Sequence, residues 1–172
     1  MFLKKIAVID CFILAALYSI RVVAGGSISD IPPSFWLLAT SGFLFLSLAF
    51  GKRFAEISLT QKDGREQLPG RSYKVSDAPV VLAFGVSSAF MAVLVLSLYV
   101  NSQAVTVLYR SPAVIWAAVP VVMLWVSSLW FRLWRGEVSD DPILFALRDR
   151  LSLLAGFFML AIVAIGAEGW LG

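Results

Sequence analysis

Five apolar runs of roughly membrane-spanning length, each closed by charged or turn-forming residues, leave this 172-residue chain few folds to choose from. They cover residues 3–24, 35–50, 79–100, 113–130 and 151–170. A hydrocarbon layer about 30 Å thick is crossed by about 20 helical residues. Lipid offers no partner to an open sheet edge, so runs of this kind are read as transmembrane helices. The expected fold is all-α: one polytopic membrane domain over 1–172, with five transmembrane helices. The first run follows Lys4 and Lys5 but is too long for a cleaved leader, is interrupted by Asp10, and lacks a small-residue cleavage site.

Charge between the runs sets an expected orientation. The second connection carries Lys52, Arg53, Lys62, Arg65, Arg71 and Lys74, and the fourth carries Arg132, Arg135, Arg148 and Arg150. The first connection has no Lys or Arg, and the third has Arg110 alone. Basic residues therefore alternate by connection, the positive-inside pattern. It predicts the N-terminus and both charged connections in the cytoplasm and the C-terminus outside. Against its cations the polar loop 52–78 sets Glu56, Asp63, Glu66 and Asp77. That mixture suits either a phosphate-handling surface or a plain cytoplasmic connector.

Composition narrows the chemistry. Hydrophobic residues make up 60% and charged residues 15%, whereas soluble domains run at roughly 45–50% and about 25%. The net charge of +3 comes from cations at helix ends, which is no argument for a nucleic-acid partner. A chain without histidine excludes Ser-His and Cys-His nucleophiles and a His-ligated metal, while an oxygen-bound cation such as Mg²⁺ stays open. The single cysteine, Cys11, excludes an internal disulfide and reads as a small core residue.

Turns are expected at Gly25-Gly26, Pro32-Pro33, Pro69-Gly70 and Pro112. Asp141 before Pro142 looks like an N-cap that starts a short helix holding Arg148, Asp149 and Arg150. Gly85, Ala89 and Ala92 put small residues on one face of the third run, which permits close helix packing. Asp10 lies inside the hydrocarbon region, where a carboxylate is costly and marks a cavity or a hydrogen-bonded partner. Arg21 shares its face but is about 16 Å away along the helix, too far to pair. It is expected to snorkel or to meet Tyr18. Glu168 reads as solvated at the outer end. The tryptophans Trp36, Trp116, Trp125, Trp130, Trp134 and Trp170 read as interface anchors or packing.

Four segments together carry a resemblance: LYSIRVVAGG, SLAFGKRFAEI, GREQLPGRSYKVSD and RGEVSDDPILFALRDRLS. They resemble the C-terminal half of the UbiA superfamily of membrane transferases. The similarity is greatest to its decaprenyl-phosphate phosphoribosyltransferase-like branch, including members fused to a phosphatase-like domain. The pairing of GKRFAE with DDPILFALRDR is the specific part. The resemblance implies the last five helices of a nine-helix bundle, with a site under cytoplasmic loops at the inner membrane of a bacterium. It also implies Mg²⁺-assisted transfer at a diphosphate, either phosphoribosyl transfer to polyprenyl phosphate or prenyl transfer to an aromatic acceptor.

In prenyl-transferring members two Asp-rich motifs hold the metal. Here the second would fall at Lys52–Glu56, where no DxxxD stands, which favours the phosphoribosyl reading. The resemblance then implies Lys52, Arg53 and Arg71 neutralising phosphate, Glu56 orienting Lys52 or taking a ribose hydroxyl, and Tyr73 donating to a phosphate oxygen. Asp10, Arg148 and Asp149 complete the expected substrate-binding set. No residues match the first Asp-rich motif, so the main metal ligands are expected from a missing half or a partner chain. The chain is then a fragment, a split subunit or a remnant, inactive alone. A non-catalytic scaffold remains an alternative. A transporter fits less well, because the ionisable groups gather at the helix ends rather than at mid-membrane.

Overall fold

The computed structural model describes residues 6–28, 30, 33–138 and 142–168. The expectations attached to Lys4, Lys5, Pro32, Asp141 and Trp170 lie outside these residues. The protein is an all-helical integral membrane protein: five of its helical stretches are long and apolar enough to span a bilayer. In chain order the helices are α1 (Ile9–Ile28), α2 (Phe35–Lys62), α3 (Ala78–Val100), α4 (Gln103–Leu108), α5 (Pro112–Ile115), α6 (Ala118–Arg135), α7 (Pro142–Arg148) and α8 (Arg150–Glu168). A 3-10 turn, Val75–Asp77, leads into α3.

Two boundaries differ from the sequence expectation. α2 does not stop at Phe50 but runs on to Lys62. At about 1.5 Å per residue its 28 residues extend roughly 42 Å, well beyond the hydrocarbon layer. The overhang buries Arg53, Phe54, Ala55, Ile57 and Thr60 against the rest of the protein. It ends where Gly64 takes a left-handed φ of 72°, which glycine adopts without steric cost. Lys52, Arg53 and Glu56 thus sit on a rigid helix and not in a loop. In α1, Gly25 and Gly26 do not turn the chain but continue the helix to Ile28.

The fourth run divides into α5 and α6, with Pro120 in the first turn of α6, where no intrahelical N–H bond is required of it. Pro142 heads α7 as expected, but α7 stops at Arg148, and Asp149 caps α8 instead of continuing α7.

The core lies where α2, α3 and α6 meet. The small face of α3 is buried at Gly85, Ala89 and Ala92, and the Trp130 ring lies over Gly85. Ser47 fastens the junction: its hydroxyl donates to the Gly85 carbonyl (2.8 Å) and accepts from Trp130 Nε1 (3.0 Å). Trp130 therefore packs, while Trp134 stacks on Phe54 from an exposed position. Trp36 lies against Tyr99 near the far ends of α2 and α3. Arg21 sits over the Tyr18 ring, 5.2 Å from its centre, and Glu168 is exposed. By contrast, only 11% of the apolar stretch of either α1 or α8 is buried.

Both charged connections occupy one end of the bundle. A Cβ built on Gly136, just after α6, would fall 2.9 Å from Lys62 Nζ at the end of α2. The basic residues that alternate along the sequence thus converge in space.

Candidate functional site

The segment between α2 and α3 folds back as a small hairpin. Leu68, Pro69, Gly70 and Arg71 make its turn, with Gly70 at φ 73° and the Arg71 N–H bonded to the Leu68 carbonyl (3.3 Å). Pro followed by a left-handed Gly is the signature of a type II turn. Bonds from Leu68 N to Tyr73 O (2.9 Å) and from Val75 N to Glu66 O (3.0 Å) close the hairpin. Leu68 is buried beneath it. Extended backbone sends alternate side chains to one side, so Arg71 and Tyr73 reach inward together.

They meet Asp10. Its Oδ2 accepts from Arg53 Nε (2.6 Å) and Arg71 Nη1 (2.9 Å), and its Oδ1 accepts from the Tyr73 hydroxyl (2.8 Å). Arg53 also bonds through Nη1 to Glu56, one turn along α2. Arg71 Nε lies 3.7 Å from the same Glu56 oxygen. Asp10, Arg53, Glu56 and Arg71 therefore form a closed ring of two acids and two guanidinium groups, with zero net formal charge. The Asp10 and Arg53 side chains are almost fully buried, whereas Glu56 and Arg71 are about a quarter exposed. Removing one member of such a buried pair costs about 3–5 kcal/mol, because the other charge is left uncompensated. Among the described residues no buried side-chain nitrogen or oxygen lacks a partner.

Tyr73 links the ring to the start of α1. Its hydroxyl accepts the Val8 N–H (2.7 Å) and lies 3.6 Å from Cys11 Sγ. Burial pushes its phenol well above the ordinary value, reinforced by hydrogen bonds with Cys11 and Asp10. The Tyr73 hydroxyl therefore stays protonated and donates its hydrogen bond to Asp10. Val8 holds φ at 75°, a left-handed conformation that costs a β-branched residue about 1–3 kcal/mol. Its carbonyl accepts from Cys11 N and Phe12 N, opening α1.

Two hollows flank this junction. A polar one of about 440 Å³ is lined by Gln67 to Ser72, with Arg71 on its wall. An apolar one of about 250 Å³ lies between α1, α2 and α3, walled by Val8, Phe12, Phe50, Phe84 and Met91 among others.

Of the residues expected to bind substrate, Asp10, Arg53, Glu56, Arg71 and Tyr73 come together. Lys52 is half-buried one turn before Glu56 on α2, and Glu56 turns to the two arginines. Asp149 and Arg148 do not join the cluster. Asp149 caps α8, accepting from the Ser152 N–H (2.9 Å) and hydroxyl (3.0 Å) and from Arg132. Burial alone would raise its carboxyl pKa, but these bonds outweigh burial and hold it below the ordinary value. Arg148 is exposed. The Asp10–Arg53 pair is the feature that spacing along the chain did not reveal. The signal was present nonetheless: both residues lie near the ends of apolar runs that the charge pattern puts on one side.

The described residues contain no group of three His, Cys, Asp or Glu side chains able to hold a metal ion. The two carboxylates of the ring are turned to guanidinium groups. As they stand they do not form a magnesium centre.

No known family profile matches the chain. It is 33% identical over 165 residues to an uncharacterised protein of Sinorhizobium fredii, covering 92% of this chain and 32% of that protein. It is 36% identical over 150 residues to the nodulation protein NoeC of Azorhizobium caulinodans, covering 86% of this chain and 48% of that one. Over 62 residues, 36% of the chain, it is 44% identical to decaprenyl-phosphate phosphoribosyltransferase of Mycolicibacterium smegmatis, of which that stretch is 20%. The chain thus spans a third to a half of the first two of these relatives and is homologous to the phosphoribosyltransferase over part of its length.

Proposed function

We propose that the chain supplies half of a membrane transferase site acting on polyprenyl phosphate, with a diphosphate-bearing sugar donor and phosphoribosyl transfer as its reaction. The observation that carries this reading is the convergence of Arg53, Arg71 and Tyr73 at the polar end of α2, in a chain homologous in part to decaprenyl-phosphate phosphoribosyltransferase. Guanidinium groups bind two phosphate oxygens at once, and Tyr73, its one hydroxyl proton on Asp10, orients that carboxylate between them. Lys52 adds charge at the same level of α2. Prenyl transfer to an aromatic acceptor is less well supported, because Lys52–Glu56 lacks the DxxxD such chemistry uses.

In this reading Mg²⁺ belongs to the assembled site, and its ligands come from a further segment or a partner chain. The described residues contribute anion binding and orientation. The site faces the cytoplasm of a bacterium, the side on which basic connections are retained.

The test is phosphoribosyl transfer to polyprenyl phosphate with Mg²⁺. It is run on the purified chain and on the chain co-expressed with a neighbouring gene product bearing an Asp-rich motif. Activity is expected only in the complex. There, Arg71→Ala should lower kcat/KM for the donor roughly ten- to a hundredfold, the loss of one charge-assisted hydrogen bond. Turnover by the chain alone overturns the half-site reading. One observation favours a second reading, a non-catalytic scaffold: both arginines are already neutralised by Asp10 and Glu56. Unchanged kinetics of Arg71→Ala in an active complex would establish it.

A further inference from the structure

We infer that the ring of Asp10, Arg53, Glu56 and Arg71 is a latch. An anion entering the polar hollow draws Arg71 away, and the strained Val8 turn relaxes with it, opening the apolar hollow next door. The inference rests on the phosphate-handling reading of this site and adds its regulation.

Three linked features carry it. First, the ring members are unequal. Arg53 is buried on a rigid helix, whereas Arg71 is about a quarter exposed, rides on the hairpin and walls the hollow of about 440 Å³. An incoming anion meets Arg71 first and competes for it with Asp10 and Glu56. Arg53 stays on both carboxylates, so the ring opens at its hairpin member.

Second, Arg71 and Tyr73 stand two residues apart on one face of the hairpin, and Tyr73 holds Asp10 and the Val8 N–H at once. A hairpin that lifts at Arg71 takes Tyr73 with it. Third, Val8 keeps its left-handed φ of 75° with its only N–H on that hydroxyl. A strained residue persists while its surroundings over-determine it. Without Tyr73 it relaxes, and Val8 and Phe12 are both walls of the hollow of about 250 Å³. The polar and apolar hollows are therefore coupled through one hydroxyl group.

The molecule carries its own reporter. Cys11 is the only cysteine in the chain, 1% exposed and in contact with the Tyr73 hydroxyl. The experiment measures the alkylation rate of Cys11 by a membrane-permeant maleimide on the full chain in nanodiscs, with and without inorganic pyrophosphate. Pyrophosphate binding is followed separately by calorimetry. Pyrophosphate should speed alkylation about tenfold or more, the room left by an open state populated at roughly 0.1–10%. Arg71→Gln should alkylate fast without pyrophosphate and lose the response. Tyr73→Phe keeps the ring arginines but removes the link to Val8, so it should raise amide exchange at residues 8–12 and speed Cys11 alkylation without pyrophosphate.

If pyrophosphate binds but leaves Cys11 alkylation unchanged or slower, the latch is overturned and the phosphate-handling reading stands. If pyrophosphate does not bind, both fall. Should Arg71→Gln fail to fold, slow alkylation of Tyr73→Phe together with unchanged exchange at residues 8–12 is equally decisive against the latch.

Discussion

At the scale of single residues, a buried carboxylate at the start of α1 organises this protein. Asp10 would be costly buried alone; here both its oxygens are satisfied by groups from α2 and the hairpin. Its unusual position was legible in the sequence, but its partners were not, because they come from residues 43 to 63 positions away. Arg21, nearer in sequence and on the same helix face, was too far along the helix to pair, and it faces Tyr18 as expected. Asp149 shows the converse. Its place beside Arg148 and Arg150 suggested substrate, yet its bonds to Arg132 and Ser152 make it a helix cap.

That assignment has a consequence for pH. The folded pKa of Asp149 lies below its ordinary value, so its ionised form stabilises the fold. The stabilisation is complete above the unfolded value and fades as pH falls through the lower, folded one. Asp149→Asn should therefore lower the thermal midpoint at pH 7, with a difference from wild type that shrinks on acidification. Thermal unfolding in detergent across pH 7 to about 3 measures it; 3.9 is the unperturbed carboxyl value. A difference that stays constant down to the acid limit would contradict the cap's electrostatic role.

At the scale of helices, apolar run length located all five spans but placed their ends poorly. Hydropathy reports where lipid is, and α2 continues past that point because Phe54, Ala55 and Ile57 find protein to bury against. The Pro69-Gly70 turn was readable from its two residues, since few backbone shapes accept that pair. The small face of α3 was readable as well, though not the ring that fills it. Adding a methyl group at Gly85 would drive it into Trp130, a rigid buried side chain also held by Ser47. Gly85→Ala should destabilise the bundle by about 1–3 kcal/mol, as overpacked cores do. Ala89→Gly on the same face adds no volume and serves as the control. Denaturation in mixed micelles compares them, and a Gly85→Ala protein as stable as wild type would show that α6 shifts freely over α3.

At the scale of the whole molecule, the charged connections converge on one end, as the contact of Lys62 with the turn after α6 shows. Which side of the cell membrane that end faces is a matter for labelling. In a Cys11→Ala background, Lys62→Cys and Arg135→Cys should both be protected from an impermeant maleimide in intact cells and both react in inverted vesicles. Reaction of the two from opposite sides would contradict the arrangement. The sequence held the alternation of charge but not this convergence, which needs the long overhang of α2 to reach Gly136.

The sparse burial of α1 bears on the environment in which the protein works. Lipid tails are as apolar as the helix itself, so hydrophobicity does little to press α1 against its neighbours. Asp10, in its first turn, is bonded to Arg53 and Arg71, which gives α1 a polar anchor at one end that apolar contact along its length does not supply.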